Sequence, residues 1–180
     1  MATPRITPDQ VTQVSALVAG YIASQRGKFV SRATPLSTHQ RAGLAMFFSR
    51  EVLDSTRMLV LQGERVPNPE FYSMLNRWGF TNLPDQSTMT AITFCDVVVS
   101  HAPFSNGLLF HELVHVEQYR QLGISRFSEL YVRGFLNGGS YEAIPLEVNA
   151  YALQGRFEAN PAQGFSVAEE VEQLCALGKL

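Results

Sequence analysis

Apolar residues change their spacing along this chain. In "TRMLVLQ" and "MTAITFCDVVVS" β-branched and aromatic residues crowd into short runs between turn-rich stretches, which predicts one strand in the first segment and one strand, or two broken near Asp96, in the second. Elsewhere the apolar positions are spread at helical intervals, and most of these runs carry start and stop signals. Thr7, Pro8 and Gln10 in "ITPDQ" predict a capped helix from Pro8 to about Gln25. A second helix is expected from Ser37 or Thr38 to Phe48, extending toward Leu53, and a short one over "EFYSMLNRWGF". Beyond residue 100 the pattern is helical throughout. Ser105 caps a helix that ends at Gly123, Ser125 caps one that stops at Gly138 and Gly139, Pro145 opens a third, and Ser166 caps a last one ended by Gly178. Strands come early and helices late, so the expected class is α+β, mostly helical, with a small β-sheet.

The 180 residues suffice for one domain, expected to span 1–180, with residues 1–90 supplying N-terminal helices and a short strand and residues 91–158 a strand and two site-bearing helices. A net charge of -2, with no basic run, argues against nucleic acid or an anionic membrane as partner. No apolar stretch is long enough to span a bilayer. The first residues lack the pattern of a secretion signal, and Cys95 and Cys175, 80 positions apart, are expected to be free thiols, so a cytoplasmic location is expected.

Against this background "SNGLLFHELVHVEQYRQLG" is unusual, because it places His111, Glu112 and His115 inside an apolar helix. Two histidines four apart lie one above the other on one helical face, where both imidazoles can reach a single ion. Glu112 is one step round the helix, poorly placed as a ligand but well placed beside a water on the metal. Leu108, Leu109, Leu113 and Val116 flank the histidines and imply burial, and buried imidazoles need partners. The alternative is a pair of core histidines bonded to backbone in a metal-free interaction protein. A zinc site also needs a third protein ligand, and no histidine follows His115. Glu117 points away from the histidine face and Glu129 lies on a solvated one. Glu147 is the best-placed acid, within "IPLEVNAYAL". Ile144, three residues before it, has no side-chain oxygen to make a capping box, so a local structural role for Glu147 is weak. Glu142 is the other candidate. Ala150 would let the two helices approach closely. Tyr141, Tyr151 and His101 are candidate hydrogen-bond donors to a developing oxyanion, with core packing or a turn as their ordinary roles.

"HELVH" followed by Glu147-to-Ala150 as "ExxA", 32 residues after His115, resembles the gluzincin-type zinc metallopeptidases. The likeness is greatest to ImmA/IrrE-like proteins and to short bacterial proteins with "HELVHVxQ" and "PLExxAY" segments, although Tyr151 stands where ImmA/IrrE-like proteins usually carry Asn. The resemblance covers roughly residues 91–158. It implies a minimal zincin-like fold, zinc held by His111, His115 and Glu147, Glu112 as general base toward the zinc-bound water, and a peptide or protein substrate. Hydrolysis of a non-peptide amide or ester, or a zinc-organised binding module without catalysis, would use the same ligands.

Overall fold

The computed structural model describes residues 4–180, and its fold is α+β and mostly helical. Helix α1 spans Pro8–Val30 and begins with the expected reciprocal cap between Thr7 and Gln10. It runs five residues beyond Gln25, because Phe29 is fully buried and stacks on Phe94, with ring centroids 6.2 Å apart. Strand β1 is the two-residue Thr34–Pro35. The single helix expected next is two: α2, Thr38–Leu44, and α3, Arg50–Ser55, the latter capped by Ser49. The chain turns between them so that Phe47 and Phe48 can pack against Phe110, at 5.4 and 5.1 Å between centroids. Tertiary packing here overrides a locally continuous apolar pattern.

Strand β2, Arg57–Val60, falls within the expected "TRMLVLQ", and α4 is confined to Tyr72–Arg77. The second β-rich segment forms two strands, β3 (Ala91–Phe94) and β4 (Val97–Ser100), joined by a hairpin turn at Cys95 and Asp96. Cys95 takes a left-handed φ of 61°, the sign that the first central residue of a II′ turn requires. The sheet order is β1-β2-β4-β3, with β2 parallel to β4 and the other pairs antiparallel, so β3 is an edge strand.

Helix α5, Asn106–Gly138, is two arms meeting at Gly123, whose φ of 69° and ψ of 163° interrupt the helix where a stop was expected. A short 3₁₀ turn at Tyr141–Ala143 leads into α6, Pro145–Ala159, and α7 covers Val167–Ala176 behind the expected Ser166 cap.

The alternation of side chains across the sheet divides the core. Val97 and Val99 of β4 face a cluster that includes Phe29, Ile22 and Phe94, with α1 on that side. Val98 faces the other way, into a cluster with Phe110, Leu113 and Val114 from the first arm of α5. That arm is therefore held between the sheet and α6. Ala150 is fully buried, as close helix approach requires, and Phe110 stacks on Phe157 with centroids 4.4 Å apart. Truncating a ring such as Phe110 would cost about 3–5 kcal/mol, which makes this junction a rigid platform. Among the described residues no helix is long and apolar enough to cross a membrane. Cys95 and Cys175 are free.

Candidate metal centre

The first arm of α5 carries His111 and His115 one turn apart, and α6 brings Glu147 against them in its first turn. Two features place α6 there. Pro145 suits the first helical position, and Gly134 in the second arm of α5 leaves room for it: a Cβ on Gly134 would lie 2.6 Å from Pro145 Cδ. All three side chains are buried. The Nε2 atoms of the histidines are 3.2 Å apart, and Glu147 Oε2 lies 3.5 Å from His111 Nε2 and 3.3 Å from His115 Nε2. Ligands bonded at ~2.0–2.1 Å to a tetrahedral ion sit about 3.3–3.4 Å from one another, so the triangle already has the size of a tetrahedral face.

Hydrogen bonding sets which nitrogens point inward. Gln118 donates its amide hydrogens to Leu146 O at 3.0 Å and Asn149 Oδ1 at 2.9 Å, which turns its carbonyl toward His115 Nδ1 at 2.8 Å. Gln154 donates to Glu158 Oε1 at 3.1 Å, which turns its carbonyl toward His111 Nδ1, also at 3.1 Å. Each Nδ1 therefore donates, and each Nε2 presents a lone pair to the centre. Glu147 Oε2 is buried there with no hydrogen-bond partner among the described residues. Two lone pairs and a carboxylate oxygen converging in a buried space repel one another unless a cation or a proton lies between them. The cluster could hold a metal ion, and its donor set fits one.

Without a cation the cluster must hold a proton. Burial opposes a charge on His115, but the Glu147 carboxylate outweighs it and pushes the imidazole up to about 9. Burial likewise opposes ionisation of Glu147, and the two histidines outweigh it, holding the carboxyl well below the usual carboxylate range.

Glu112 is not part of the triangle. It is buried beside it, and its Oε2 accepts a 2.7 Å hydrogen bond from Thr93 Oγ1 of the edge strand β3. Burial raises its pKa, against the lowering influence of the histidines and Thr93. Tyr141 lines the same cavity as Glu112, His115 and Glu147. Burial raises its pKa and the Glu147 charge raises it further, so its hydroxyl stays protonated. Tyr151 sits differently: half-exposed, with its ring 4.5 Å from that of His111, it walls the outer side of that imidazole. His101 is not at the site. Its Nε2 accepts from Val66 N–H at 3.0 Å and its Nδ1 lies 2.6 Å from Met89 O, so it ties loops together. Glu142 is exposed on the 3₁₀ turn and lies outside the ligand cluster. Glu117 is buried and paired with Arg120 at 2.7 Å.

Thr93, Gln118, Asn149 and Gln154 are not among the residues expected at the site. Gln118 and Gln154 leave a signal that could have found them: one stands a helical turn after His115, the other two turns after Glu147 on the same face. Thr93 leaves none, since only the packing of β3 on α5 brings it near. No protein-family model, curated protein or solved structure matches this chain.

Proposed function

We propose that this chain is a zinc-dependent hydrolase of the gluzincin kind that cleaves a peptide bond, with His111, His115 and Glu147 as ligands and Glu112 as general base. One observation carries this reading: a buried carboxylate, Glu112, stands beside the His111–His115–Glu147 triangle, shares a cavity with His115 and Glu147, and takes no part in the triangle. A metal that only braced a fold would need no such group. Two imidazoles and one carboxylate, with room left beside them, suit zinc in a catalytic rather than a structural role. Bound there, zinc would lower the pKa of a coordinated water toward ~7 and polarise a substrate carbonyl.

The protein's own groups supply the rest. Glu112, with its raised pKa and its single anchoring bond to Thr93, accepts the proton of the attacking water and returns it to the leaving amine. The hydroxyl of Tyr141 faces the same cavity and can donate to the oxygen on which charge develops. Strand β3 has a free edge next to Glu112 that can pair with an extended peptide. Tyr151 shields His111 from solvent rather than touching the reacting atoms.

The test is a side-by-side measurement on wild type and Glu112→Gln of zinc content, thermal unfolding and hydrolysis of unfolded polypeptide. Both should carry about one zinc per chain. The variant should unfold at nearly the same temperature and lose at least the ~10²–10⁴-fold that general-base catalysis supplies. Equal turnover in the two zinc-loaded proteins would overturn the mechanism, and a wild type without turnover would favour a zinc-organised binding module. Wild type that stays metal-free in excess zinc would overturn the whole reading.

A further inference from the structure

Five of the six tyrosines of this chain, namely Tyr21, Tyr72, Tyr119, Tyr131 and Tyr141, line one cavity of about 90 Å³ that also meets Glu112, His115 and Glu147. They come from α1, α4, both arms of α5 and the 3₁₀ turn, so no single element accounts for their meeting. Burial raises the pKa of all five phenols, which keeps them neutral. Phe71, Phe94 and Phe127 add further aromatic faces. Among the described residues no lysine or arginine lines the cavity, and its only acids are Glu112 and Glu147, at the end beside the histidines.

These walls are selective in a definite way. A cationic or anionic side chain entering would lose its hydration with no counterion beyond the site's own machinery, at a cost of several kcal/mol. A planar ring would meet ring faces and edges on several sides, and neutral hydroxyls could satisfy a polar substituent on it. The volume suits one side chain and not a length of extended chain. The geometry points to this cavity as the pocket that receives an uncharged aromatic side chain of the substrate, next to the bond to be cleaved. The inference rests on the hydrolase reading for the word substrate, but the pocket's preference stands apart from turnover.

The experiment therefore reads binding. Zinc-loaded full-length wild type is titrated with the N-acetyl amides of phenylalanine, tyrosine, norleucine, lysine and glutamate, followed by ligand-observed NMR. Their backbones are alike and uncharged, so only the side chain differs. The phenylalanine and tyrosine amides should bind at least tenfold tighter than the lysine and glutamate amides, and more tightly than the norleucine amide. Two cavity-filling variants, Val18→Trp and Ile92→Trp, locate the effect: each should lose the aromatic ligands by tenfold or more while keeping its zinc. Equal binding of charged and aromatic amides by wild type would overturn the inference, as would unchanged binding in a zinc-retaining variant. Should neither variant fold, the wild-type selectivity decides alone. Aromatic binding with no hydrolysis of any peptide would sink the proposed reaction and leave the pocket standing.

Discussion

Gln154 touches no reacting atom, yet it fixes which nitrogen of His111 faces the centre. Its amide is oriented by Glu158, so Gln154→Leu leaves the imidazole free to rotate and to change tautomer. Losing such a supporting bond typically weakens metal binding 10–100-fold. Competition with a chromogenic chelator should show that loss for Gln154→Leu and none for Glu142→Ala. The converse result would move the ligand role to Glu142. His115 ties the stability of the fold to pH. Its pKa in the metal-free protein stands at about 9, above the ordinary 6.5. A raised histidine pKa stabilises the fold fully below the unfolded value, and the contribution is lost as pH rises through the folded one. Metal-free protein should therefore unfold at progressively lower temperature between pH 7 and pH 10, and His115→Gln should flatten that slope. The same proton must leave when zinc enters. Calorimetry at pH 7.5 in buffers of different ionisation enthalpy should detect at least one proton released per zinc, with more where the coordinated water also ionises.

Helix α5 does two jobs because it is broken. Its first arm carries the histidines and its second brings Phe127 and Tyr131 to the cavity, and the bend at Gly123 uses a φ and ψ almost closed to other residues. Gly123→Ala should cost about 1–3 kcal/mol. For a chain of this size that lowers the melting temperature by roughly 2–4 °C per kcal/mol, measurable by calorimetry. Gly134→Ala tests the second arm differently: its Cβ would drive into Pro145, displace the first turn of α6 and move Glu147. Zinc affinity should fall at least tenfold, with a smaller effect on unfolding of the metal-free protein. Much of this layer is legible in the sequence. The Thr7 and Ser166 caps, Pro145 and Gly123 act locally and stand where their chemistry predicts. The meeting of His111, His115 and Glu147 in one buried cluster is legible as well, because helical spacing puts His111 over His115 and the burial of "IPLEVNAYAL" favours Glu147. The break between α2 and α3 is not, since Phe47 and Phe48 turn to meet Phe110 from more than 60 positions away in sequence. The tyrosine cavity is hidden for the same reason: each phenol looks like an ordinary core residue until α1 lies across β3.

At the scale of the whole molecule, the cluster joins the first arm of α5 to α6 across 32 residues of chain. An ion held only by the folded form stabilises it by mass action, about 2.7 kcal/mol at a hundredfold excess over the dissociation constant. Wild type should melt roughly 5–10 °C higher with saturating zinc, and His111→Ala should show no zinc dependence. Strand β3 brings a different consequence. Among the described residues its outer row of amides and carbonyls has no neighbour in the sheet, and such a row does not distinguish a foreign chain from another copy of the same one. Concentrated protein is thus exposed to edge-to-edge self-association and precipitation starting at β3. The strand is only four residues long and ends at a turn where Asp96 is ion-paired with Arg26, which keeps the template short and places charge at its end.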